Sequence, residues 1–325
     1  MLLRIFSRYF AVMKMRLLPF FIALTYFASA QKIEQYYDYN WNRCEAVNAR
    51  YYSEIEKTDS GWHRRDYFIH EGSLQMDGYY ADQDCKTANG LFYYFHPNRS
   101  LQSTGSYVND KKEAVWIRYY PDRVMSDSVT YLHGNKVGLG MSWHNNGFVS
   151  DSSVFNEDGS GVEVTWFDNG NPSSAGRYSA GYKQHGKWQY FHRNGKLSAV
   201  EIYNEGAFVA KTLFTEDGTQ QTDTTSLDRE ASFPGGPEAW KKFMLKHLWF
   251  PEQYQITNAD KAVVVVTFTI DEDGNLTDAA LLAPFHPAFD KIALNMLSKS
   301  PKWIPAIQHN RRVKYRFKQQ VTFQQ

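Results

Sequence analysis

The chain has 325 residues, a formal net charge of +1 and 42% hydrophobic residues. That length leaves room for two or three domains with ordinary cores. The near-neutral balance argues against nucleic acid as a partner, because such proteins concentrate basic charge on one face.

In chain order, the first signal is Arg4, Arg8, Lys14 and Arg16, then the apolar run Leu17 to Ala28, then Ala28-Ser29-Ala30 ahead of Gln31. This is the charged, apolar, small-residue order of a secretory signal peptide, assigned to residues 1–30 with cleavage after Ala30. As a helix the apolar run spans about 18 Å against a hydrocarbon core of about 30 Å, which is short for a permanent span. A retained signal anchor is the alternative. A start at Met13 or Met15 would bring the charged region to its usual length, and no cysteine stands at the cleavage site to carry a lipid.

Residues 31–60 form an N-terminal segment that holds Cys44; the second cysteine, Cys85, lies in the stretch Ala81 to Ala88. An exported protein meets an oxidising compartment where such a pair can join. A Cys44–Cys85 disulfide would staple the segment onto the chain beyond residue 60. Two separate buried thiols are the other reading, since sequence does not show whether the Cα atoms approach.

From residue 61 to 219 the sequence repeats. YFHPNRSL at Tyr94 to Leu101 returns as YFHRNGKL at Tyr190 to Leu197, and the offset of 96 is four steps of 24. Stepping by this period gives anchors at Glu71, Asn98, Asp122, Asn146, Asn169, Asn194 and Asp217. Three residues before them stand Phe68, Phe95, Tyr119, Trp143, Trp166, Phe191 and Phe214, seven aromatics of seven in a chain that is 16% aromatic. A second column, nine residues after the first six anchors, holds Tyr80, Tyr107, Tyr131, Phe155, Tyr178 and Tyr203, and it breaks at Ser226. Asn146-Gly147, Asn169-Gly170, Asn194-Gly195 and Asp217-Gly218 supply the positive φ of tight hairpins. His133-Gly134, Asp158-Gly159, Ala180-Gly181 and Glu205-Gly206 close the turns between units. One hairpin is only marginally stable, so the units are expected to stack and share their aromatic columns.

The pattern G-x-W-x-Y-(F/H)-x-x-N-G-x-L, clearest from Gly186 to Leu197, is similar to the MORN family and especially its bacterial variant. That resemblance implies a scaffold for protein or lipid contacts and no shared chemistry. Arg99 and Arg123 stand where the pattern has Gly, so those two turns are expected to be built differently.

Residues 220–232, QQTDTTSLDREAS, are polar and lose the aromatic columns, which marks a linker. Beyond it, Pro237 suits a first helical turn, and Trp240, Phe243, Met244 and Leu248 follow at helical spacing. Lys261 to Ile270 reads as a largely buried strand, Asp271 to Asn275 as a turn and Leu276 to Leu282 as the return strand. Phe289, Ile292, Ala293, Met296 and Leu297 mark a second helix, stopped by Pro301. Val313, Tyr315, Phe317, Val321 and Phe323 alternate with Lys314, Arg316, Lys318, Gln320 and Thr322, a strand with one face buried.

This α-β-β-α-β order over residues 233–325 resembles the C-terminal domain of TonB proteins. The carriers are Phe233-Pro234-Gly235-Gly236, Phe250-Pro251, the strand Val263 to Ile270 with Asp273-Gly274 after it, and Pro301-Lys302-Trp303-Ile304-Pro305. Asn258-Ala259-Asp260 departs from the family, where a Gly commonly precedes the first strand. The resemblance implies that the last strand accepts an extended peptide, the TonB box of an outer-membrane transporter. Val313, Lys314, Tyr315, Arg316, Phe317, Lys318, Val321 and Phe323 become the candidate peptide-binding edge. Unpaired edge groups support such strand addition physically, and the alternative is that Lys314, Arg316 and Lys318 guard a structural edge against aggregation.

Catalytic chemistry is not legible. His96, His144 and His192 share one column, but alternate repeats lie roughly 19 Å apart, too far for one coordination sphere. Asp271 to Asn275 lacks the glycine position and closing Glu of a calcium loop. No metal, cofactor or catalytic residue is assigned, and the chain reads as a binding protein. The expected fold is mainly β with a small α+β domain, a stacked hairpin array followed by a TonB-like domain. The expected setting is the periplasm or cell envelope of a Gram-negative bacterium, with a TonB-dependent transporter and other envelope proteins as partners. A membrane-anchored energy transducer with the repeats as spacer is the second reading.

Overall fold

The computed structural model describes residues 32–256 and 261–324. The expected signal peptide and the turn at Asn258-Ala259-Asp260 lie outside the described residues. The fold is mainly β, as expected, and among the described residues no helix is long and apolar enough to cross a membrane.

Fifteen strands follow one another in a single antiparallel sheet. They are β1 (Ile33–Tyr37), β2 (Tyr51–Thr58), β3 (Gly61–Phe68), β4 (Ser73–Tyr80), β5 (Ala88–Phe95), β6 (Leu101–Val108), β7 (Lys111–Tyr119) and β8 (Met125–Leu132). Then come β9 (Asn135–Trp143), β10 (Val149–Phe155), β11 (Gly161–Trp166), β12 (Pro172–Ser179), β13 (Lys183–Phe191), β14 (Leu197–Asn204) and β15 (Ala207–Leu213). The sheet thus begins two strands before the expected repeats, inside the segment 31–60.

The six anchors from Asn98 to Asp217 sit in three-residue loops with a left-handed third position, a turn followed by a bulge, whereas Glu71 lies in a four-residue loop between Phe68 and Ser73. In one such loop the Gly147 amide donates to the His144 carbonyl at 2.8 Å and Gly147 has φ 86°. Arg99 and Arg123 adopt φ 68° and 74° and make the equivalent bonds to His96 and Tyr120 at 2.9 Å. The expectation that these two turns differ is therefore corrected. The hydrogen-bonding frame is strong enough to hold an arginine where glycine is easier, at roughly 1 kcal/mol each.

The repeated octapeptide is a staple between repeats. His96, His144 and His192 each donate from Nε2 to the carbonyl of Tyr119, Trp166 and Phe214, at 3.0, 2.9 and 2.9 Å. Asn98, Asn146, Asn169 and Asn194 donate from Nδ2 to the carbonyls of Pro121, Asp168, Arg193 and Glu216, at 2.7, 2.7, 3.0 and 2.7 Å. Each partner lies one repeat further on, so turn-former and turn-bonder are the same residue.

The second aromatic column packs against the array's buried rings Phe92, Trp116 and Trp188. Tyr80 and Tyr107 flank Phe92 at 5.2 and 5.0 Å between ring centres, Tyr107 meets Trp116 at 4.8 Å, and Tyr178 meets Trp188 at 5.0 Å. The glycine two residues before these tyrosines makes the space: a Cβ at Gly176 would lie 2.1 Å from the Trp188 ring, and one at Gly105 2.2 Å from Trp116. In the first column Phe68 is buried, whereas Phe95, Tyr119, Trp143, Trp166, Phe191 and Phe214 are half-buried.

The C-terminal region has α1 (Gly236–His247), β16 (Ala262–Ile270), β17 (Leu276–Ala283), α2 (Pro287–Ser298), β18 (Ala306–Gln308), β19 (Arg311–Val313) and β20 (Tyr315–Phe323). Its three-stranded sheet has the order β17-β16-β20. The central strand β16 is buried on both sides. Val264, Val266, Phe268 and Ile270 meet Trp240, Phe289, Met296 and Leu297 from the helices, while Val263 and Val265 meet Tyr37, Tyr51 and Phe68 of the array.

Cys44 and Cys85 are free thiols, a correction of the candidate disulfide. The Cys44 amide bonds Tyr36, which is opposite Tyr52 at the start of β2. Cys85 follows Tyr80, opposite Trp62, itself opposite Lys57 near the far end of β2. Tyr52 to Lys57 alone is roughly 17 Å of strand. A disulfide needs Cα atoms within about 7 Å.

Candidate peptide-binding edge and its clamp

β20 pairs only with β16 within its sheet, from Tyr315 opposite Ile270 to Phe323 opposite Ala262. The Phe317 carbonyl is taken on the β16 side by Thr267 Oγ1 at 3.0 Å. Backbone groups alternate along an antiparallel ladder, so those of Arg316, Lys318, Gln320 and Thr322 point to the open side. Among the described residues no main-chain bond reaches them from outside the sheet. The Gln320 carbonyl alone is covered, by Gln319 Nε2 at 2.7 Å.

The strand is shorter than the sequence suggests. Val313 does not lie on it but ends β19, paired with Ala306. Lys314 separates the two strands and is tied to the array, its Nζ donating to Asp168 Oδ2 at 2.8 Å. Tyr315, Phe317, Val321 and Phe323 turn to the helix-side core. Arg316 and Lys318 are exposed, and Arg316 Nε donates to Thr267 Oγ1 at 2.9 Å.

Sequence reasoning missed the β18–β19 hairpin, which carries the clamp between domain and array. His309 and Asn310 form its turn with φ 52° and 61°, a two-residue turn that Asn tolerates well. The His309 ring stacks on Tyr190 at 3.7 Å, and its Nδ1 lies 3.0 Å from Glu201 Oε1. Asn310 Nδ2 donates to the Phe214 carbonyl at 2.8 Å. Arg311 is buried, its Nη1 donating to the Ser173 carbonyl at 2.8 Å and to Ser173 Oγ, and its guanidinium lies over Phe167 and Tyr190 at 5.4 and 5.6 Å. Burial pushes the Arg311 pKa down to about 10.

An ionic cluster continues the clamp. Asp168 meets both Lys314 and Arg193, and Arg193 reaches Glu272 at 3.4 Å. Burial alone would raise the Asp168 carboxyl, but the bonds and charges of Lys314 and Arg193 outweigh it and hold the group below its ordinary range. The only sequence hint of this clamp was the pair His309-Asn310, a turn signal that the alternating strand beside it obscured.

Residues 247–324 match the family model for the Gram-negative bacterial TonB protein C-terminal. The match begins at the end of α1, so the Phe233-Pro234-Gly235-Gly236 entry into that helix lies before it. No curated protein matches the chain. The TonB-type region therefore includes β16 through β20, and with them the open edge and the clamp.

Proposed function

We propose that the chain is an exported cell-envelope protein whose TonB-type domain binds an extended peptide of a TonB-dependent outer-membrane transporter by adding it to β20. The MORN-like array holds that domain and offers the remaining surface to other envelope proteins. On this reading it is a binding protein and not an enzyme, at work in the periplasm of a Gram-negative bacterium. The observation that carries it is the open row of backbone groups at Arg316, Lys318 and Thr322, continued by the Gln320 amide. Main-chain pairing supplies affinity there without demanding one side-chain sequence.

An anchored transducer with the array as spacer has less support. The domain touches early strands through Val263 and Val265 and late strands through Arg311, so the docked array does not hold it at a distance. The test is hydrogen exchange on the full chain with millimolar synthetic peptides from transporter N-termini. Selective slowing at Arg316, Lys318, Gln320 and Thr322 is expected; unchanged exchange along β20 would rule strand addition out.

A further inference from the structure

The two aromatic columns are spent differently. The second is consumed by ring stacking inside the array, whereas Phe95, Tyr119 and Trp143 of the first belong to neither of its aromatic clusters. These three line one wall of a cleft of about 750 Å³ between the array and the outer face of the small sheet. That is the size of a small-molecule cleft, about 300–1,000 Å³.

Arg118, Arg316 and Lys318 also line this cleft, and Asp127 is the one acidic side chain among its described lining residues. Asp127 holds Arg118 Nε at 2.7 Å, and Thr267 holds Arg316 Nε at 2.9 Å. The terminal guanidinium nitrogens and the Lys318 ammonium have no protein partner among the described residues. The cleft is thus aromatic on one wall and carries an excess of positive charge.

Spacing selects the occupant. Phe95, Tyr119 and Trp143 end β5, β7 and β9, every second strand, so the rings repeat at about 10 Å. An extended peptide repeats each face at about 7 Å and falls out of step. The disaccharide repeat of an extended glycan is close to the ring spacing, which places alternate sugars over successive rings. We propose that the cleft binds an extended glycan that bears carboxylates, stacked on Phe95, Tyr119 and Trp143 and neutralised by Arg118, Arg316 and Lys318.

The test titrates the full chain with tetragalacturonate, with neutral cellotetraose and with hexaglutamate, read by calorimetry and tryptophan fluorescence. The acidic glycan is expected to bind on the order of tenfold more tightly than the neutral one. Arg118→Gln combined with Lys318→Gln is expected to erase that preference, and Trp143→Ala to weaken both glycans on the order of tenfold. Trp143 is half-buried, so the charge variants decide the outcome if its truncation unfolds the array. No glycan binding at millimolar concentration, or hexaglutamate binding as tightly as the acidic glycan, overturns the proposal. Strand addition has its own readout in the β20 amides, so either idea can fail alone.

Discussion

Arg311→Ala should undock the TonB-type domain from the array. The arginine gives two hydrogen bonds to Ser173 and lies over two aromatic rings. Bonds from a charged donor contribute about 1.5–3 kcal/mol each, and a desolvated cation–π contact about 2 kcal/mol. Against this stands the cost of burying the guanidinium, visible in its lowered pKa, with no carboxylate in hydrogen-bond contact. The net loss expected is about 2–4 kcal/mol of docking free energy, because Ser173 is left unpaired and a cavity opens. Arg311→Met should recover much of it, since an apolar chain of similar length fills the space without a buried charge. Hydrogen exchange of β12, β13 and the β18–β19 hairpin in the full chain reads docking directly. Wild-type protection of these strands in Arg311→Ala, with an unchanged urea midpoint, would refute the clamp.

Three further outcomes rest on local geometry. Gly176→Ala should destabilise the array by about 1–3 kcal/mol, because the new methyl meets the Trp188 ring and a packed core resists the added carbon; urea unfolding followed by tryptophan fluorescence measures it. Arg123→Gly should stabilise by up to about 1 kcal/mol by relieving the left-handed backbone, whereas Arg99→Gly should gain less because Arg99 Nη2 also donates to the Glu71 carbonyl at 3.2 Å; thermal melts of both separate the two. Burial raises the Asp290 pKa to about 6, opposed by the Phe285 amide bond to its carboxyl and reinforced by Glu71. The unfolded carboxyl titrates near 4, so the folded state binds the extra proton and stability falls as pH rises from about 4 to 6, by up to about 3 kcal/mol. Asp290→Asn should flatten that slope, and an unchanged slope in urea titrations at pH 5 and pH 7.5 would remove Asp290 as its source.

The hairpin array was legible because its turns and aromatic positions repeat, and repetition lifts a weak local signal above composition. The α-β-β-α-β order was legible from helical spacing after Pro237, the valine run of β16 and the alternation in β20. The features that were not legible depend on contacts remote in sequence. Nothing local in Val263 or Val265 says that their partners are Tyr37, Tyr51 and Phe68. The same alternation that revealed β20 concealed the break at Lys314, since Val313 fits the pattern yet pairs with Ala306. Cys44 and Cys85 looked like a pair by count and compartment, but both lie in loops whose approach no local pattern reports, and both are free thiols. Arg99 and Arg123 show the converse, a turn whose frame overrides residue preference.

The clamp also has a consequence for how the protein is made. Staples between adjacent repeats let the array assemble as it emerges, each hairpin settling on the one before. Arg311 and Ser173 are 138 residues apart, and the valines that cover Tyr51 and Phe68 come later in synthesis than every repeat. The first repeats must therefore wait with an apolar face uncovered until the last domain arrives. A chain cut short after the repeats would keep that face open, a ready site for a chaperone or a protease.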